Sequence, residues 1–321
     1  MKNTQIRNRV EFLDSTRALC ILWIIGFWHM AEYVKWDISV PLTEGVTNGV
    51  LATFTLISGY FLGAKKISGI KDAMAFYKKR FLRFYPLFFI SSTAFLFIYL
   101  IWDIQYIGSV QQYLLTLLGL SCIITPAPQT IWFISMLILF YALTPVINSA
   151  KGCLKKFLYC VTIFAVFQLL DLFLFDVDNR LLLFFPFYCI GLLIANKVKF
   201  TDKINYIYAI FLFILFIVIS LFEKLNSLYL VKVLMVCAFI LFAFELGKMC
   251  NKISFCKKTL ERISYASMCA YLFHRQMFGL VYKLIGVFPV WAAYLIILPL
   301  LMVVSYCVQY TYDKIVISFE E

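Results

Sequence analysis

Apolar residues run through this chain in long blocks, and polar residues are confined to short breaks between them. A helix rising 1.5 Å per residue needs ~20 residues to cross a hydrocarbon core of ~30 Å. Ten blocks reach or approach that length: 12–34, 46–64, 81–102, 130–149, 157–175, 181–196, 204–222, 228–247, 263–284 and 288–311. Lipid leaves exposed backbone N–H and C=O groups unsatisfied, so each block is predicted to be helical. No alternating pattern of barrel-strand length competes. An eleventh apolar stretch, 110–125, is short, begins with Gln111 and Gln112, and runs into Pro126 and Pro128. It is predicted to lie in the outer interface or to re-enter partway. The expected fold class is all-α: a polytopic membrane protein of about ten transmembrane helices with one additional short interfacial or re-entrant helix. No hydrophilic domain, linker, clear repeat or low-complexity tract interrupts the pattern, so residues 1–321 read as one integral-membrane domain.

Composition strengthens this picture. Apolar residues make up 63% of the chain and charged residues only 14%, too few to clothe a soluble protein of 321 residues. The N-terminal basic stretch and first apolar run resemble a secretion signal, but the run is long and ends in FWHMAEYVKW without a small-residue cleavage site. An uncleaved first span is expected. The ten cysteines show no CxxC or Cys/His ligand spacing. Most, including Cys20, Cys160, Cys189, Cys237, Cys269 and Cys307, sit in apolar runs and read as small buried hydrophobes, with no metal site.

The formal net charge of +12 raises the question of sidedness before that of nucleic acid, because no basic run interleaves with aromatics on a polar face. With ten crossings and a cytoplasmic N-terminus, 23 of the 29 lysines and arginines fall inside. Making 110–125 a crossing would invert every later loop, which the positive-inside rule rejects. The expected location is the cytoplasmic (inner) membrane, multi-pass, with both termini cytoplasmic and membrane lipids as surroundings. Nucleic acid is not an expected partner.

Ionisable groups inside a membrane are costly and mark functional candidates. The chain has two histidines, His29 and His274, both within predicted spans. Imidazole accepts and returns a proton near neutral pH; the alternative is a buried ring hydrogen-bonded between helices. Asp14 and Arg17, three residues apart, are able to pair on one helix face. His29 lies about 18 Å further along the axis, with Glu32 placed to orient it or to meet solvent. Arg80 and Arg83, beside Lys78 and Lys79, form either a guanidinium clamp for phosphates or ordinary positive-inside charge. His274, followed by Arg275 and Gln276, reads first as a structural hydrogen-bonding group. Glu245, Asp171 and Gln168 are further polar groups within spans.

Several of these segments, taken in order, resemble the acyltransferase-3 family of integral-membrane acyltransferases. They are FLD with the following Arg17-Ala18-Leu19, ISGYFLG at 57–63, RFLRFYP at 80–86, WFISMLILFYALTP at 132–145 and ISYASMCAYLFHRQMF at 263–278. The resemblance spans nearly the whole chain. It implies transfer of an acyl group, usually acetyl, from a cytoplasmic acyl-coenzyme A such as acetyl-CoA to a hydroxyl of a glycan or lipid-linked sugar. By the same resemblance, His29 is the general base or acyl relay, and Arg17, Arg80 and Arg83 serve the coenzyme A phosphates. Asp14, Glu32 and His274 are supporting candidates.

Two departures stand out. The family usually has ten residues between the arginine and histidine of the first span; here eleven intervene, ALCILWIIGFW. At about 100° per residue, the usual spacing leaves the two side chains about 20° apart around the helix, and this one about 120°. A one-residue π-bulge near Gly26–Trp28 would restore the facing. In the span at 130–149, many members carry a glutamate a few residues after the tryptophan, where Ser135, Met136 and Leu137 stand here. The competing reading from another class is a transporter or flippase of a lipid-linked sugar, which calls for two matching halves; a polysaccharide polymerase is a further rival.

Overall fold

The computed structural model describes residues 10–37, 41–102, 109–124, 126–195, 197, 203–222 and 228–320, and among these the regular structure is all helical, with no strand. Helix α1 begins as Glu11–Leu22, passes through a π-helical segment Trp23–His29, and ends as Met30–Val34. There follow α2 (Pro41–Gly63), α3 (Ile70–Trp102), α4 (Val110–Leu117), α5 (Trp132–Ser149) and α6 (Cys153–Phe173). Then come α7 (Asn179–Ile194), α8 (Tyr206–Leu221), α9 (Tyr229–Lys252) and α10 (Ser254–Ile285). Helix α11 runs from Val290–Ala292 through a second π-helical segment, Ala293–Ile297, into Leu298–Glu320.

A helix stands at each of the ten predicted blocks. Six (α2, α3, α5, α6, α9 and α11) are long and apolar enough to cross a membrane by length and composition, while α7 and α8 are apolar but shorter. This fits a multi-pass membrane protein. Two helices start well before their apolar blocks, α3 at Ile70 and α10 at Ser254. Hydropathy marks the lipid slab and not the helix, so the charged segments KDAMAFYKKR and FCKKTLER continue as helix outside it.

Within 110–124 the helix is too short to cross a membrane. Helix α4 has eight residues, capped by the Ser109 hydroxyl, which accepts from the Gln112 N–H at 3.1 Å. The chain then folds back through turns. The Gln112 side chain donates to the Pro126 carbonyl at 2.7 Å, and Ser121 Oγ lies 2.8 Å from Ser135 Oγ. An independent contact agrees: Tyr77 Oη, near the start of α3, donates to the Ala142 carbonyl, late in α5, at 2.7 Å. The start of α3 and the end of α5 therefore lie at the same end of the helix bundle, in keeping with a connecting stretch that does not cross.

The helices meet most closely where α2 passes α7. A Cβ added at Gly59 would fall 2.2 Å from the Tyr188 carbonyl oxygen, and one at Gly191 would fall 2.2 Å from the Leu56 carbonyl oxygen. Without a hydrophobic force between helices in lipid, close packing holds them together, and glycine permits backbone against backbone. Gly59 and Gly63 have the four-residue spacing of such a seam. Outward, α6 exposes Leu158, Val161, Leu169 and Leu172, an apolar face suited to lipid. Cysteine burial is uneven: Cys20, Cys160, Cys189 and Cys269 are buried, but Cys237 is part-buried and Cys307 exposed. An apolar run does not distinguish core-facing from lipid-facing positions, which explains why Cys307 departs from expectation.

Candidate active site

Helix α1 carries Asp14, Arg17, Ile21 and Ile24 at alternating three- and four-residue intervals, the spacing of a single helix face. Asp14, Arg17 and Ile21 line one cavity, of about 740 Å³. Ile24, Trp28 and His29 line a second, of about 300 Å³. Helix α2 does the same in the opposite direction: Glu44, Asn48 and Leu51 face the smaller cavity, Phe54, Ser58 and Phe61 the larger. On α5, Trp132 lines the smaller and Phe133, Leu137 and Tyr141 the larger. Tyr271 on α10 lines both. The two cavities thus follow one another along the same helix faces and meet at Tyr271.

The larger cavity gathers all three predicted arginines. Arg17 Nη1 pairs with Asp14 Oδ1 at 3.8 Å and its Nη2 donates to Ser267 Oγ at 3.3 Å. Ser264 Oγ donates to the same Asp14 oxygen at 3.2 Å. The Arg80 guanidinium lies over the rings of Phe76 and Tyr141, 5.9 and 5.7 Å from their centres. Arg83 lines the cavity from the next turn of α3. Across from them α10 and α11 add Glu261 and Asp313, with Tyr265 Oη donating to Asp313 at 2.6 Å and Gln309 Nε2 at 2.8 Å. The space therefore has a basic wall and an acidic, hydroxyl-bearing wall. Sequence reading found the first, because three arginines stand in two short motifs. It missed the second, because Glu261 and Asp313 are far apart in the chain and resemble ordinary loop-side charges.

The smaller cavity is where His29 opens. The π-helical segment Trp23–His29 covers the bulge expected from the eleven-residue interval. Its extra residue returns His29 to the face that carries Arg17. Gly26 makes room for it: a Cβ there would lie 3.0 Å from Leu298, just after the second π-helical segment. The other walls bring Glu44, Asn48, Arg180 and Lys232 together with Trp28 and Trp132. Arg180 is held by both oxygens of Asp178 and lies 3.9 Å over the Trp132 ring. Glu44 and Asn48 were legible in principle as a carboxylate and an amide one turn apart on a helix whose other polar side chains are hydroxyls. Arg180 and Lys232 carry no motif that would single them out in the sequence.

His274 also comes to this site. Its Nε2 is 2.7 Å from His29 Nδ1. The ring centres are 4.8 Å apart with planes 10° apart, so the rings meet edge to edge and are not stacked face to face. His274 Nδ1 faces the Tyr271 carbonyl at 2.7 Å. Both imidazoles are buried, His29 at 8% exposure and His274 at 0%. Glu32 does not orient His29; its carboxylate accepts from Arg275 Nη1. Arg275 Nε in turn donates to Thr130 Oγ1 at 3.0 Å, and Tyr271 Oη donates to the Thr130 carbonyl at 2.6 Å. Thr130 has φ +66°, an unfavourable region for a β-branched residue; these two bonds from α10 hold it there. Backbone strain of this kind clusters at functional sites.

Of Ser135, Met136 and Leu137, which stand after Trp132, Ser135 is buried against Ser121 and no carboxylate is among them. Glu245 pairs with Lys248 at 2.7 Å and accepts the Asn205 N–H, and Asp171 accepts the Val177 N–H. These two carboxylates belong to helix ends and not to either cavity. Among the described residues no group of three or more His, Cys, Asp or Glu is placed to hold a metal ion.

A family model described as an acyltransferase domain, Acyl_transf_3, matches residues 10–310. No curated protein and no solved structure matches the chain.

Proposed function

The chain belongs to the acyltransferase-3 family, and from that premise we propose that it moves an acyl group, acetyl by preference, from a cytoplasmic acyl-CoA to a sugar hydroxyl of a surface glycan or its lipid-linked precursor. The observation that carries this reading is the pairing of an arginine-walled cavity with a histidine-bearing one, end to end along the same helix faces. In this reading the chain crosses ten times with its N-terminus inside, so that the arginine cavity faces the cytoplasm, where acyl-CoA is found, and His29 lies toward the outer side. The protein then works as one integral-membrane domain in the inner membrane.

The donor is a polyanion. Arg17, Arg80 and Arg83 offer it paired N–H donors and a local positive field. The opposite wall, with Tyr265, Gln309 and Asp313, supplies hydrogen-bonding groups for its neutral amide portions. The thioester is directed past Ile21 and Phe133 to Tyr271. On the other side a sugar enters a cavity whose polar groups (Glu44, Asn48 and Lys232) and indoles suit a polyhydroxylated ring. His29 takes the proton of the attacking hydroxyl as its oxygen bonds the acyl carbon. The carbon–sulfur bond then breaks and the departing thiolate of coenzyme A receives a proton. Apolar walls exclude water, the competing acceptor.

The transporter reading shares the end-to-end cavities, but it gives no reason for a phosphate-binding arginine set on one side and a base on the other. The discriminating experiment supplies radiolabelled acetyl-CoA to membranes holding the native protein, His29→Ala or Arg80→Ala/Arg83→Ala. Label on carbohydrate with the native chain, lost in His29→Ala at equal expression, supports acyl transfer. Absence of both transfer and coenzyme A binding would favour the transporter.

A further inference from the structure

The histidine pair fixes more than proximity. His274 Nδ1 faces the Tyr271 carbonyl at 2.7 Å, and a carbonyl oxygen only accepts, so the hydrogen of that bond sits on His274 Nδ1. A neutral imidazole carries one N–H, which leaves His274 Nε2 a bare lone pair. The contact between His274 Nε2 and His29 Nδ1, also 2.7 Å, must then take its hydrogen from His29 Nδ1. His29 Nε2 is left with no hydrogen. An imidazolium at 274 would reverse the bond, but it would put a second buried cation beside Arg275, whose carboxylate partner Glu32 is already engaged.

We infer that His274 is a positioning residue that holds His29 in the Nδ1–H tautomer, so that His29 presents Nε2 as its free nitrogen. The Tyr271 carbonyl anchors the arrangement, and Tyr271 is the residue at which the two cavities meet. With Nδ1 committed to His274, Nε2 is the nitrogen left for the cavity that His29 lines. This inference takes its catalytic meaning from the acyl-transfer reading: a base needs a bare nitrogen toward the hydroxyl it deprotonates. The tautomer itself does not depend on that reading.

The chain holds only two histidines, so nitrogen NMR of protein labelled at histidine ring nitrogens, in lipid nanodiscs, gives two sets of ring signals. The expected result is that both rings are Nδ1–H with Nε2 bare, although free neutral imidazole side chains favour Nε2–H. Finding His29 protonated at Nε2, or His274 at both nitrogens, overturns the inference.

Variants add a functional arm. His274→Phe keeps a ring but removes the acceptor; His29 should revert toward Nε2–H, with kcat falling about 100-fold and KM for acetyl-CoA within about twofold. His274→Gln, whose Oε1 stands near the lost Nε2, should recover at least about tenfold of that activity. Equal loss in both variants, with the His29 tautomer unchanged, means a purely structural role and also overturns the inference. If His274→Phe does not fold, the native spectrum decides alone. Expected tautomers without any acyl transfer would sink the functional reading and leave the role of His274 standing.

Discussion

At the scale of residues, Arg80 and Arg83 differ in kind from His29, and kinetics separates them. A guanidinium grips phosphate with a planar fork that an ammonium lacks, so Arg80→Lys or Arg83→Lys should raise KM for acetyl-CoA about tenfold with kcat little changed. His29→Ala should instead lower kcat, by about 10²–10⁴, the usual worth of a general base. Equal kcat losses in all three would mean that the arginines shape the site and do not bind donor. The arginines and His29 stood out in the sequence because each is a charged or titratable group at a motif spacing within an apolar block or at its edge. Of the two readings of Glu32, orienting His29 or meeting solvent, the second fits its exposure, and its partner Arg275 arrives from α10, which proximity on α1 could not show. The closeness of His274 to His29 was equally hidden: 245 positions separate them, and only the packing of α1 against α10 joins them.

At the scale of elements, the π-helical segment Trp23–His29 is the device that sets the histidine. Deleting Phe27 removes the extra residue and lets the helix relax to α, which carries the histidine to nearly the same face, about 20° from Arg17. That variant should retain transfer within about tenfold, whereas inserting one alanine after Gly26 turns the histidine by about 100° and should abolish it. A well-expressed but inactive deletion, measured in the same labelling assay, would contradict this account of the bulge. The first bulge was foreseeable because a motif interval was one residue too long. The second, Ala293–Ile297 in α11, follows no motif and left no sign. Gly59 belongs to the same scale. A methyl group there meets the Tyr188 carbonyl, so Gly59→Ala should cost at least about 1–3 kcal/mol of stability by overpacking, read as a lower melting temperature in detergent. No loss of stability would mean that α2 and α7 separate at little cost.

At the scale of the whole molecule, apolar blocks gave the helices, and loop charge an expected direction for them, but neither showed which helices line a cavity. In lipid the buried and outward faces are both apolar, so hydropathy cannot tell the core-facing side of α6 from its lipid-facing side. Only the few polar positions within spans mark the inside. The sidedness is testable by cysteine labelling in a chain whose ten native cysteines are replaced. Glu44→Cys should react with a membrane-impermeant thiol reagent added outside intact cells, and Glu261→Cys only after the inner face is exposed. The reverse pattern would put the arginine cavity outside and remove the donor argument.

The most direct test of acyl transfer between the two sides uses sealed membrane vesicles of both orientations, supplied externally with radiolabelled acetyl-CoA. The expected result is labelled carbohydrate in inverted vesicles carrying the native chain, none in right-side-out vesicles, and none in inverted vesicles carrying His29→Ala. Labelling in intact right-side-out vesicles, or labelling that survives His29→Ala, would contradict the account.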